Sequence, residues 1–65
     1  MTLVQARKKF SDWVDEMGGA SEAAERLDCT VQTVAHIRTG RRNAGLRIAL
    51  ALEEFAGIPA TAWLR

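Results

Sequence analysis

Between Gln32 and Arg42 the chain gathers a carboxamide, an imidazole and three guanidinium groups: Gln32, His36, Arg38, Arg41 and Arg42. These groups do hydrogen-bonding chemistry rather than bond-making chemistry. A carboxamide presents a donor beside an acceptor, an imidazole carries one of each on a flat ring, and guanidinium groups suit anionic oxygens. Gln32 and His36 are four apart, so on a helix they share one face, a turn from each other. A single cysteine, Cys29, cannot form an internal disulfide, and no Cys/His cluster has metal-ligand spacing. Cys29 is expected to be a small buried hydrophobe, and no catalytic residue, cofactor or metal is expected.

The elements that must carry these groups lie in ASEAAERLDCTVQTVAHIRT, from Ala20 to Thr39, which predicts two short helices joined by a tight turn. Ala23 and Ala24 are small where another helix would cross closely. Leu27, Cys29, Val34 and Ile37 supply apolar contacts that both helices can bury. Gln32, Thr33, Ala35, His36 and Thr39 are then left facing outward. Asp28 falls where the turn needs a left-handed backbone, which Asp tolerates better than most residues after glycine. Thr30 is the expected N-cap of the second of these helices, accepting from the backbone at Gln32 or Thr33, and Gly40 its stop. A helix held away from its own core by a supporting partner has the shape that fits a DNA major groove.

The flanking sequence predicts more helices. Leu3, Ala6, Phe10, Trp13, Val14 and Met17 recur at three- and four-residue steps after Thr2, an expected N-cap, and Gly18 and Gly19 end that helix. Asn43 is expected to cap a fourth helix. Leu46, Ile48, Ala49, Leu50, Leu52 and Phe55 make this helix apolar over a wide face, so it is expected to be the central buried one. Gly57 ends it, and Pro59 is placed in the first turn of a last short helix, Ala60 to Leu64. The expectation is an all-α protein: one domain over residues 1–65, a compact bundle of four to five short helices in which the second and third form a helix-turn-helix.

Size and charge bound the function. A chain of 65 residues buries only about 60% of its unfolded surface, which implies modest stability and little room for an enzyme pocket. No small-molecule substrate is expected. No apolar run approaches the roughly 20 residues of a membrane span and no leader precedes the first helix, so a soluble, cytoplasmic protein is expected. A net charge of +1 says little, but the distribution says more. Every acid lies between Asp12 and Asp28 or at Glu53 and Glu54, whereas Cys29 to Leu52 holds Arg38, Arg41, Arg42 and Arg47 with no acid. Four arginines can also be no more than a solvated face, and on charge alone the two alternatives are even. Arg7, Lys8 and Lys9 form a second basic cluster, better explained as the solvent side of an amphipathic helix.

These residues resemble a known family. GGASEAAERLDCTVQTVAHIRTGRR, followed by ALEEFAGIPATAW, is similar to the Cro-type members of the lambda-repressor-like helix-turn-helix proteins over Gly18 to about Trp63. Ala24, Val34 and Ile37 fill the diagnostic places, with Leu27 and Cys29 flanking the turn. Asp28 stands where the family usually has glycine. Ala20 stands where some relatives carry a glutamine that touches DNA, so that contact is absent here.

The resemblance implies a sequence-specific, double-stranded-DNA-binding transcriptional regulator, a phage Cro-like repressor or a bacterial relative, with the third helix in the major groove. It implies base contacts by Val31, Gln32 and His36. Gln32 can pair in bidentate fashion with adenine N6 and N7, worth about 1 to 3 kcal/mol of discrimination. Val31 can pack on a thymine methyl or serve as partial core, and His36 can follow Gln32 toward guanine N7 or bond locally. Thr30, Thr33, Ala35 and Thr39 complete the surface, and Arg38, Arg41, Arg42 and Arg47 are expected to track phosphates.

One short helix reads too few base pairs to select a genomic site. The family resemblance implies a homodimer, weak or formed on DNA, on a palindromic operator with half-sites about 34 Å apart. Ile58, Trp63 and Leu64 are its candidate contacts, with Trp63 as a cap on the monomer core the favoured alternative. Two other functions stand beside this one: an antitoxin-type autorepressor, and a helical protein-interaction module that does not bind DNA. A contiguous apolar patch would mark the last.

Overall fold

Helix boundaries in the computed structural model, which describes Met1 to Trp63, follow local backbone chemistry. Helix α1 spans Leu3–Glu16 and starts with a reciprocal cap: Gln5 N–H donates to Thr2 Oγ1 at 3.2 Å and Thr2 N–H to Gln5 Oε1 at 2.9 Å. Two otherwise orphaned donors are thereby satisfied. The chain leaves α1 through Gly18 and Gly19, with Gly19 N–H donating to the Val14 carbonyl at 3.0 Å. Gly19 has φ +122° and ψ 178°, a conformation essentially confined to glycine. Nothing lies within 4 Å of where its Cβ would be, so conformation and not space demands the glycine.

Helix α2 spans Ala20–Leu27 and α3 spans Val31–Thr39, separated by Asp28, Cys29 and Thr30. Asp28 is left-handed at φ 55° and ψ 51°, as the sequence predicts, and Cys29 N–H returns to the Ala24 carbonyl at 2.9 Å. Thr30 caps α3 by accepting from Thr33 N–H at 3.1 Å. Gly40 ends α3 in the left-handed region at φ 81°. Helix α4 spans Leu46–Ala56 and stops at Gly57, also left-handed. A 3₁₀ helix, Ala60–Trp63, follows.

The result is the expected small all-α bundle, but with a different centre. Helix α1, not α4, touches every other element. Its residues Ala6, Phe10 and Val14 are wholly buried, and Phe10 meets Trp63 edge-on with centroids 6.1 Å apart and Trp13 at 6.2 Å. Leu27, Val34, Ile37, Leu52 and Ile58 close the core around this stripe. Ala23 and Ala24 are buried, which lets the helices packed on α2 approach closely. Helix α4 buries only Ile48, Ala49 and Leu52; Leu46, Leu50 and Phe55 remain exposed, with the Arg26 guanidinium 5.8 Å from the Phe55 ring centre. Its sequence is apolar over a wide face, but a helix on the outside of so small a bundle has only one face to bury.

Three further expectations are corrected. Gly45, not Asn43, is the N-cap of α4. Asn43 instead accepts from Arg7 Nη2 at 3.2 Å and donates from Nδ2 to the Trp63 carbonyl at 3.3 Å, tying together three distant segments. Pro59 lies just before the last helix, whose Ala62 N–H donates to the Pro59 carbonyl at 2.9 Å. The end of that helix at Leu64, and the dimer contact assigned to Leu64, fall outside the described residues. Ile58 and Trp63 are buried, so they serve the monomer core. Among the described residues no helix is long and apolar enough to cross a membrane.

Two variants test this account of the fold by urea unfolding followed through tryptophan fluorescence. Phe10→Ala should cost about 3 to 5 kcal/mol, enough to leave a domain of this size largely unfolded. Asp28→Gly should gain up to about 1 kcal/mol, because relief of the left-handed strain outweighs the added freedom of the unfolded chain.

Candidate nucleic-acid interface

The outward face of α3 depends on what its inner face is held by. Val34 and Ile37 are wholly buried against α1 and α2, which fixes the rotation of the helix. Val31, Gln32, Ala35 and Thr39 are consequently exposed, and Thr33 and His36 half-buried on the flanks. Val31 is 49% exposed, which places it on the surface rather than in the core. The Gln32 amide has no hydrogen-bond partner among the described residues, so both its donor and its acceptor are free.

Hydroxyl protons on this face are largely spoken for. Thr39 Oγ1 donates to the Ala35 carbonyl at 3.0 Å. Thr30 and Thr33 share one hydroxyl hydrogen bond at 2.9 Å, which leaves a single proton of the pair for an outside acceptor. The threonines therefore shape the surface more than they donate from it.

Of the four arginines expected to track phosphate, the structure gives two of them internal partners. Arg47 donates from Nη1 to the Leu27 carbonyl at 2.9 Å and from Nη2 to the Asp28 carbonyl at 3.0 Å. These are the orphaned carbonyls at the C-terminal end of α2, where the helix dipole also favours a cation. Arg38 leans on α1: its Nε donates to Ser11 Oγ at 3.1 Å and its Nη2 lies 3.5 Å from Asp15 Oδ1. Arg47 thus clamps the turn and Arg38 clamps α3 to α1. Neither role has a local signal, since the partners lie about twenty residues or more away in sequence.

Arg41 and Arg42 remain. Both are exposed, and among the described residues neither side chain has a hydrogen-bond or ion-pair partner. Their backbone is nevertheless held, because both N–H groups donate to the His36 carbonyl, at 2.9 and 3.3 Å. Arg7 of α1 holds the same loop from beneath. It bonds Asn43, and its guanidinium lies against Gly40, where an added Cβ would sit 3.1 Å from Arg7 Cζ. Arg7 was grouped by sequence with a solvated basic cluster; it is instead a support for the loop that carries Arg41 and Arg42. Lys8 does face solvent, 3.6 Å from Asp12.

Cys29, in the turn, is half-buried rather than fully buried. Burial pushes its thiol up from the ordinary value, against the opposing charge of Arg47 and with a smaller push from Asp28. It is therefore a neutral thiol at neutral pH, suited to packing and not to nucleophilic chemistry.

The assembled surface is a short polar helix face followed by two free guanidinium groups on a braced loop. It can offer planar hydrogen bonds from one side chain and charge from two. Comparison with known proteins finds no matching family model, no matching curated protein and no matching solved structure.

The division among the arginines predicts unequal stability effects. Arg47→Met should lower unfolding free energy by about 1 to 2 kcal/mol, since it leaves helix-end carbonyls without a charged donor. Arg42→Ala should stay within about 0.5 kcal/mol of the parent in the same urea titration.

Proposed function

We propose that this protein binds double-stranded DNA with sequence preference by laying α3 in the major groove, and that it regulates transcription as a Cro-like repressor on a palindromic operator. The observation that carries the proposal is the pairing of a free Gln32 amide on the outward face of α3 with the free Arg41 and Arg42 guanidiniums directly after it. In this arrangement Gln32 reads adenine N6 and N7 and Val31 contacts a thymine methyl. His36, half-buried a turn after Gln32, reaches the groove edge. Arg41 and Arg42 neutralise phosphates, which adds affinity without selecting a sequence. No catalysis, cofactor or small-molecule substrate is part of the proposal.

The protein-interaction alternative requires a contiguous apolar patch where the partner docks. On α3 the one large exposed apolar side chain is Val31, flanked by Gln32 and Ala35, which favours a polar, hydrated partner such as DNA for this face; exposed apolar side chains stand instead on α4, at Leu46, Leu50 and Phe55. The antitoxin-type alternative shares the same DNA face and has no separate observation in its favour.

Selection of bound sequences from a random duplex pool, followed by affinity measurements across a salt series, tests the proposal. Gln32→Ala should relax preference at one base position at a cost of about 1 to 3 kcal/mol. Arg42→Ala should weaken all sequences alike and reduce the logarithmic salt slope by about 0.9. Retention of no duplex above background, even at low salt, would overturn the proposal.

A further inference from the structure

The proposed DNA reading leaves the site incomplete, since one α3 covers too few base pairs to discriminate a site in a genome. A second copy must present its own α3 about one helical turn, roughly 34 Å, along the duplex. Each α3 then lies roughly 17 Å from the twofold axis. The protomer is only 27 Å in its longest extent, so 17 Å exceeds half of it. Contact between the copies must therefore be made by elements remote from α3.

Close neighbours of α3 are α1 and α2; among the described residues, α4 and the 3₁₀ helix make no close backbone approach to it. On that remote side α4 exposes two leucines one turn apart, Leu46 at 76% and Leu50 at 52% exposure. Leu46 also lines a groove of about 240 Å³ with Ala44, Ala49, Ala60, Thr61 and Trp63. From this placement we infer that α4 is the face on which two copies of the chain associate, packed antiparallel, with Leu46 of each copy against Leu50 of the other. This inference rests on the DNA-binding proposal for its spacing argument, but its leucine contact is testable without DNA.

Charge supports the antiparallel sense. Arg47, which keeps its positive charge while bonded to the neutral Leu27 and Asp28 carbonyls, stands near the N-terminal end of α4, and Glu54 and Glu53, the latter accepting from Ala60 N–H, stand near its C-terminal end. Antiparallel pairing lays each basic end over an acidic end and opposes the helix dipoles, whereas parallel pairing stacks like charges. The area argues for a weak contact. A stable interface takes about 800 Å² from each partner, and the total surface here is 4098 Å². One exposed flank of an 11-residue helix supplies well under that share. Such a contact is sparse in free solution and is completed when two adjacent half-sites hold the copies at millimolar effective concentration.

Sedimentation equilibrium from micromolar to millimolar protein, beside affinities for duplexes with one or two half-sites, tests the inference. The parent should self-associate weakly toward the millimolar end and bind the paired duplex with a gain over the single one. Leu50→Glu and Leu46→Glu should each lower both by about 10-fold or more, a loss expected when charge enters an apolar contact. Val4→Glu, which alters an apolar residue on α1 that is 73% exposed, should leave both unchanged. Equal association of Leu50→Glu and the parent, an equal loss in Val4→Glu, or a parent that shows neither self-association nor a paired-site gain would overturn it. Leucine-dependent self-association without duplex binding would remove the DNA proposal alone. Single-site binding with a paired-site gain indifferent to Leu50 would remove the α4 contact alone.

Discussion

The burial of the Phe10 stripe on α1 is the constraint on which the rest of the structure depends. A 65-residue chain has room for one small core, and here a single apolar line on α1, the helix that meets every other element, runs through it. Ala6, Phe10 and Val14 provide that line, with Trp63 returning from the far end of the chain to meet Phe10 edge-on. Helices α2, α3 and α4 are each too short to persist alone. Their rotation about their own axes follows from which residues they press onto α1 or its neighbours, and the rotation of α3 determines that Gln32 faces solvent.

Packing onto one line brings distant segments together, and three arginines tie them. Arg47 satisfies the carbonyls left by the left-handed turn at Asp28, and Arg38 anchors α3 to Ser11 and Asp15. Arg7 underlies the loop after α3 while bonding Asn43, which in turn holds the Trp63 carbonyl. A run of positive charge in the sequence is thus divided between structure and surface. Arg41 and Arg42 need no side-chain partner among the described residues, because Arg7, Asn43 and the His36 carbonyl already hold the loop they stand on.

The same economy leaves α4 with an unpaired face. Ile48, Ala49 and Leu52 are buried in the monomer core and Ala51 and Ala56 pack against it, while Leu46 and Leu50 are left outside. In the pair of copies inferred for adjacent half-sites, these two leucines join the protomers without enlarging the monomer.

Much of the architecture was legible in the residues, because caps, stops and amphipathic stripes act over three to five positions. Thr2, Thr30, Asp28, Gly40 and Gly57 each do what their own backbone chemistry implies, and the buried positions of α1 to α3 fall on the expected faces. The exposed face of α3 followed from the same short-range periodicity. Helix α4 was misjudged as the centre because composition reports how apolar a helix is, not how much surface its neighbours can cover. Asn43 was misjudged as a cap because its partners, Arg7 and Trp63, lie 36 and 20 residues away. The sequence by itself determined where α1, α2 and α3 begin and end and which side chains line α3. Only the tertiary structure decided which arginines remain free, because a long cationic side chain takes whichever carbonyl or carboxylate the fold brings within reach.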